Sequence, residues 1–131
     1  MQSNTLTTDN GAGRDASSIF FDKRAMSMNH VNLIGKITSA PRFYDHSSGR
    51  RIAQFILATK EAYLDEDGAT KVKRHWHRIS AWGRWVRVLE EFGAIDLHVA
   101  IEGKLATRFY YRDGEKQFIS EVEVNDLVIM S

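Results

Sequence analysis

The sequence predicts an all-β domain, a small Greek-key barrel of five principal strands with one short helix between strands three and four. Two observations predict this fold. Five stretches have the residue pattern of β-strands, and a single stretch, directly before the fourth strand, has a clean helical period. In addition, the isolated glycines Gly35 and Gly103 stand inside the first and fourth strands, where a small barrel must bend its strands.

The first two principal strands are separated by the only proline and by a turn. Residues 30–37 are predicted to form strand one, and Pro41 interrupts the chain after it. Residues 42–46 resume as a short extended piece, which the turn at residues 47–49 ends. Residues 51–62 are mostly apolar, and their β-branched and aromatic residues favour strand two over a helix.

The third strand leads into the only predicted helix. A polar hairpin loop at residues 65–70 precedes strand three at residues 71–83. Beyond it, apolar residues recur at i, i+3, i+4 and i+7, which predicts a helix over residues 84–92, ended by Gly93. The residues with this period are Trp85, Val88, Leu89 and Phe92.

The last two strands are predicted to form a hairpin. Residues 98–111 are strand four and residues 117–130 are strand five, with a turn at Asp113-Gly114 between them. This order of elements is typical of the five-stranded oligonucleotide-binding (OB) fold. We therefore expect one OB domain over residues 28–131. The polar residues 1–27 before it are expected to be a flexible or loosely docked extension.

Composition excludes several classes of protein. The 131 residues include no cysteine, which excludes disulfides and thiolate metal sites and fits a reducing cytoplasm. No apolar run approaches the roughly 18 residues that a membrane-spanning helix needs, so no membrane partner is expected. The formal net charge is only +1, so any attraction to nucleic acid must come from the placement of charges.

Strand three presents an unusual row of side chains on one side. Because side chains alternate along a strand, Trp76, Arg78, Ser80 and Trp82 share that side. Two indoles with a guanidinium between them suit unpaired nucleobases, which stack on aromatic rings while cations contact their phosphates. The alternative is that both tryptophans belong to the core, as most tryptophans largely do.

A second row of this kind is predicted in strand four. It combines two cations with an aromatic ring and consists of Lys104, Ala106, Arg108 and Tyr110. At the start of strand three, Lys71, Lys73 and Arg74 are either a solvated charge run or phosphate contacts beside Trp76. Two rows with arginine and aromatic residues on one side favour nucleic-acid binding over the core alternative for the tryptophans.

Four motifs in order resemble the bacterial single-stranded DNA-binding protein family. They correspond to the first four strands of that family, and the resemblance extends over about residues 28–130, which is most of the chain. The motifs are M-N-H-V-N-L-I-G-K-I at 28–37, A-Q-F-I-L-A-T-K-E at 53–61, H-W-H-R-I-S-A-W-G at 75–83 and A-I-E-G-K-L-A-T-R at 100–108.

The resemblance implies the roles of individual residues. It places stacking aromatics at Tyr63, Trp76, Trp82 and Tyr110, and cationic contacts at Arg78, Arg84 and Arg108. With Lys71, Lys73 and Lys104 from the reasoning above, these residues form the expected binding site for single-stranded DNA. Phe109 stands where a lysine is common in the family, so the electrostatic share of binding is expected to be smaller.

The resemblance also implies a function and an assembly. It implies a cytoplasmic, nucleoid-associated protein that binds and protects single-stranded DNA in replication, recombination and repair, without sequence preference. A homotetramer or dimer of dimers is implied as well. Family members usually carry an acidic C-terminal tail that recruits other proteins, and this sequence stops at Ser131 without one, which leaves such recruitment open.

Two other functions remain open at this point. One is an OB-fold adaptor of the primosomal type, acting mainly through protein contacts and binding nucleic acid weakly. The other is a metal hydrolase built on His75 and His77, which share a side of strand three but lack an evident third ligand. No catalytic motif is present, so we expect no enzyme activity, metal or cofactor. An RNA ligand is not distinguished from DNA by these residues.

Overall fold

A computed structural model describes residues 27–130, in which six strands and one helix follow one another. The elements are β1 (Val31–Ile37), β2 (Arg42–Asp45), β3 (Arg51–Leu64), β4 (Thr70–Trp82), α1 (Arg84–Phe92), β5 (His98–Arg112) and β6 (Glu115–Met130). The predicted five principal strands and single helix are confirmed, and the short extended piece after Pro41 is the four-residue strand β2. The predicted extension lies outside the described residues except for Ser27.

The strands close into a barrel because one additional pairing joins β1, at one end of the sheet, to β3 near the other end. The strand order is β1-β5-β6-β4-β3-β2, and β1 also pairs with β3, with Lys36 opposite Ala58. On the other side, β4 and β6 run parallel, with Ser80 opposite Glu123. This closure gives the five-stranded OB barrel that the order of elements predicts.

The core fills the barrel with the inward side chains of every principal strand, and α1 covers one end. The buried residues are Ile37, Ala53, Phe55, Leu57, Ile79, Ala81, Val86, Leu89, Val99, Ile101, Val122, Val124 and Leu127. The helix begins after Gly83, which has a positive φ of 66°. It ends at Gly93, whose backbone N–H donates to the carbonyl oxygen of Leu89.

Two glycines allow neighbouring strands to approach each other closely. A Cβ atom at Gly35 would collide with the backbone carbonyl oxygen of Ala58, and one at Gly103 with that of Glu123. The β5–β6 pairing also shifts register between Glu102 and Gly103. The positions that the sequence predicts as bends are therefore places where any side chain would separate two strands.

Two long hairpins extend from the barrel. The β3–β4 hairpin is paired without interruption from Ile52 opposite Trp82 to Leu64 opposite Thr70. The β5–β6 hairpin continues to Arg112 opposite Glu115, and its turn has positive φ at both Asp113 and Gly114, as a two-residue hairpin turn of this type requires. Within residues 27–130, no helix is both long and apolar enough to cross a membrane.

Candidate nucleic-acid interface

The register places both predicted rows on one outward surface of the barrel. Directly opposite residues of paired strands share a side of the sheet, and Ser80 of β4 lies opposite Glu123 of β6, which in turn lies opposite Lys104 of β5. The two rows are therefore separated only by β6. We call this surface the interface face, defined by Trp76, Arg78, Ser80 and Trp82 of β4 and by Lys104, Ala106, Arg108 and Tyr110 of β5.

Trp76 is the most exposed tryptophan of the interface face. Its side chain is 64% exposed, and it borders a cleft of about 580 Å³ between β1 and the β3–β4 hairpin. Lys60 and Arg74 lie in the same cleft, and neither has an acidic partner within ion-pair distance among residues 27–130. The full lining is Ile34, Gly35, Lys36, Thr38, Ala58, Lys60, Arg74, Trp76 and His98.

A second cleft on the same side of β4 collects two arginines. Its volume is about 420 Å³, and Arg42 and Arg78 border it together with Gln54 and Ile56. Within the described part of the chain, these arginines also have no carboxylate at ion-pair distance. Trp76 is thus flanked by two clefts that together hold four cations without an acidic partner in the described range, whereas Lys36 of the first cleft lies 3.5 Å from a carboxylate oxygen of Asp96.

Trp82 occupies a different environment from Trp76. It is half-buried and packs against the core, and the guanidinium carbon of Arg50 lies 4.7 Å from the centroid of its ring. Ser80, between them in the row, is fully buried, and its hydroxyl has no hydrogen-bond partner among the described residues. Trp82 is therefore partly a core residue, as the alternative from the sequence suggests, whereas Trp76 is not.

Three predicted residues lie on the other side of the β3–β4 hairpin. Tyr63 lies opposite Lys71, and Lys73 lies opposite Glu61, in a register that alternates without a bulge down to Trp76. Odd-numbered residues of β4 therefore project away from the interface face, and the predicted position of Lys71 and Lys73 beside Trp76 is wrong. Lys71 instead lies 3.9 Å from a carboxylate oxygen of Asp65.

Tyr110 and Arg84 are exposed at opposite ends of the surface. Tyr110 lies opposite Gln117 on the β5–β6 hairpin, in the same row as Arg108. Arg84 is the first residue of α1, and its guanidinium carbon lies 4.5 Å from the ring centroid of Trp85. The structure brings Trp76, Arg78, Trp82 and the β5 row to one face, and leaves Arg84 at its margin.

The two cations of the β5 row have acidic partners, unlike the four unpaired cations of the clefts beside Trp76 in the described range. Arg108 donates a hydrogen bond from Nε to the buried carboxylate of Glu121, which also accepts one from Gln54 at 3.4 Å. That hydrogen bond raises the pKa of Arg108 above its ordinary value, against the smaller effect of burial. Lys104 Nζ lies 3.8 Å from an oxygen of Glu123.

The histidine pair is accounted for by contacts inside the hairpin. His77 Nε2 lies 2.9 Å from the hydroxyl of Thr59, and His75 Nε2 lies 3.1 Å from a carboxylate oxygen of Glu61. Burial lowers the pKa of His77, and the neighbouring His75 lowers it further. Among residues 27–130, no group of three or more potential ligands could hold a metal ion.

Comparison with known proteins identifies the family that the motifs resemble. A sequence model of the Single-strand binding protein family matches residues 28–130. The chain belongs to this family. It is 32% identical over 108 residues to Single-stranded DNA-binding protein 1 of Chlorobaculum tepidum, an alignment that covers 81% of this chain and 67% of that protein.

Two solved structures of related proteins resemble this family member. One is a Plasmodium falciparum SSB in complex with ssDNA, with a TM-score of 0.73 and 28% identity over 80% of this chain and 96% of the other. The second is a deletion mutant of the single-stranded DNA binding protein from Thermus aquaticus, with a TM-score of 0.71 and 27% identity. That similarity covers 79% of this chain and 51% of the other.

Sequence reasoning missed two charged residues of this member of the single-strand binding protein family, Lys60 and Arg42. Arg74, which the sequence groups with Lys71 and Lys73 as a candidate phosphate contact, shares the side of Trp76 by simple alternation. Lys60 and Arg42 join the surface only through cross-strand pairing, with Lys60 opposite Arg74 and Arg42 opposite Gln54. Those positions depend on the register, which the local pattern does not specify.

Proposed function

We propose that this chain binds single-stranded DNA without sequence preference and protects it during replication, recombination and repair. The observation that carries the proposal is the exposed indole of Trp76 between two clefts with available cations, Lys60 and Arg74 in one and Arg42 and Arg78 in the other. The Plasmodium falciparum relative, solved with ssDNA, supports the same ligand.

The mechanism combines stacking with phosphate contacts. A base stacked on an aromatic side chain contributes about 1–3 kcal/mol and is accepted whatever its identity, because every base has a π-face. Each phosphate that a cation neutralises on a single strand adds about 0.7 to the negative slope of log affinity against log salt. A duplex hides the faces of its bases, so it offers phosphates to this surface but nothing to stack on Trp76.

The proposed binding site includes all ten residues expected from the sequence, which differ in their distance from the interface face. Trp76, Arg78, Trp82, Lys104, Arg108 and Tyr110 line the interface face, and Arg84 lies at its margin. Tyr63, Lys71 and Lys73 contact DNA only if the strand also passes over the other side of the β3–β4 hairpin. We propose that the chain acts without a catalytic step, a metal or a cofactor. We also propose that it is located in the cytoplasm.

We also propose that the chain assembles into a homotetramer, as a dimer of dimers. Beyond its short pairing with β3, one edge of β1 is unpaired from Val31 to Gly35 within the described range. Ile34 and Val128 expose apolar surface beside it and border a cleft of about 440 Å³. An unpaired strand edge next to apolar side chains is suited to pairing with a second copy. Mass measurement of Ile34→Asp by light scattering is expected to give a smaller species than the unaltered chain.

Binding specificity is the test of the proposed function. Fluorescence anisotropy with labelled oligo-dT, oligo-dC and a duplex of equal length is expected to give similar, tight binding of both single strands and much weaker binding of the duplex. Weak binding of every ligand at low salt would favour the adaptor of the primosomal type. That alternative is not favoured by the family match or by the ssDNA complex of the relative.

A further inference from the structure

Two glutamates of β6 stand among the cations of the interface face. Glu121 and Glu123 project outward, opposite Ala106 and Lys104. A carboxylate repels DNA phosphates, so stacking and phosphate contact do not account for this pair. They lie at ion-pair distance from Lys104 and Arg108, two cations that the sequence assigns to phosphate contact.

The two glutamates are held in different ways. Glu121 is only 2% exposed, and the hydrogen bonds from Arg108 and Gln54 balance its buried charge. The Glu123 side chain is 18% exposed and lies 3.8 Å from both Lys104 Nζ and an Arg108 terminal nitrogen. These separations exceed hydrogen-bond length, and loose ion pairs near solvent are individually weak. Glu121 is therefore fixed, whereas the cations can leave Glu123 for a stronger anion.

We propose that Glu123 is an exchangeable counter-anion, which holds Lys104 and Arg108 in the free protein and yields Lys104 to a DNA phosphate on binding. The inference rests on the proposed function and deepens it by naming a residue that lowers its salt dependence. After the exchange Glu123 still lies beside the bound strand, and a cation from solution must balance its charge. Net counterion release at Lys104 is then smaller than at Arg74 or Arg78.

The proposal predicts a specific change when Glu123 loses its charge. Glu123→Gln keeps the size of the side chain and frees Lys104, so the salt slope for oligo-dT is expected to steepen by about 0.7, the value for one phosphate. Affinity at low salt is expected to rise severalfold. Glu91→Gln, an equal change of net charge on the exposed side of α1, is the matched control and is expected to leave both quantities unchanged.

A double-mutant cycle distinguishes exchange from simple repulsion. If Glu123 acts by holding Lys104, then at least half of the gain from Glu123→Gln is lost in a Lys104→Ala background. The proposal is overturned if the gain persists there in full, or if Glu91→Gln produces the same gain. Glu123→Thr, neutral and suited to a strand, is the second variant if thermal unfolding shows that glutamine disturbs the fold.

The outcome for the unaltered chain separates the two proposals. If it binds oligo-dT tightly but the slope of Glu123→Gln is unchanged, the exchange is refuted and the proposed function stands. If the unaltered chain does not bind oligo-dT at low salt, the proposed function and the exchange are both refuted.

Discussion

Replacing Trp76 by alanine is expected to weaken binding without unfolding the domain. Trp76 is 64% exposed, so most of the residue is accessible to a base. Loss of one stacked base should cost about 1–3 kcal/mol, which corresponds to an increase in Kd of about 5- to 140-fold. A fully buried tryptophan would cost about 3–5 kcal/mol of stability on replacement, and the buried third of Trp76 reduces that to roughly 1–2 kcal/mol.

The assay measures binding and stability on the same variants. Anisotropy of labelled oligo-dT at fixed salt gives Kd, and denaturant unfolding gives the free energy of unfolding. Phe118→Ala is the matched control, because Phe118 is 69% exposed but lies with Phe109 on the opposite side of the β5–β6 hairpin from Tyr110. Trp82→Ala is expected to lower stability more than Trp76→Ala, since Trp82 packs against the core.

Three results would refute this reasoning. Binding of Trp76→Ala as tight as that of the unaltered chain would mean that no base stacks on the indole. An equal loss in Phe118→Ala would mean that exposed aromatic residues contribute regardless of their side of the sheet. Unfolding of Trp76→Ala would mean that Trp76 is part of the core after all.

Three further predictions concern the framework of the interface. Arg108→Ala leaves the Glu121 carboxylate buried without its main partner and should lower the free energy of unfolding by about 3–5 kcal/mol; adding Glu121→Gln should restore much of this in denaturant titrations. Gly103→Ala should lower Tm by several degrees in calorimetry, because the new Cβ atom meets the Glu123 carbonyl oxygen; an unchanged Tm would show that the strands separate freely. The pKa of His77 is lower in the folded chain than in the unfolded chain, so the unfolded chain binds more protons as pH falls below about 6.5. The free energy of unfolding should therefore decrease from that pH down to the folded pKa. His77→Gln should remove this part of the pH dependence, which thermal unfolding measures.

Local sequence patterns were sufficient for the elements of this fold. The apolar period from Trp85 to Phe92 predicts α1 with the bounds that the structure has, and Asp113-Gly114 predicts the hairpin turn with its positive φ angles. The sequence also singles out Gly35 and Gly103, at which the structure shows close approaches of two strands. In each case the interaction that decides the structure is made by residues close in sequence, or the residue type itself permits the close approach.

Charge pairing across strands was not predictable in the same way. Alternation through Glu121 and Glu123 places both on one side of β6, but only the register puts them beside Arg108 and Lys104. The error at Lys71 and Lys73 has another cause. Both lysines are close to Trp76 in sequence, but alternation along the strand sends their side chains to the opposite side of the hairpin.

Intrinsic tryptophan fluorescence tests the central claim most directly, since it reports whether bases reach the indole of Trp76. Trp82 and Trp85 are half-buried against the core, so Trp76 is the tryptophan with the most surface open to a ligand and should account for most of the response. Titration with oligo-dT is expected to quench the emission strongly, a duplex of equal length to quench it little, and Trp76→Ala to remove most of the quenching. Tight binding of oligo-dT without quenching, or equal quenching by the duplex, would contradict stacking on this surface.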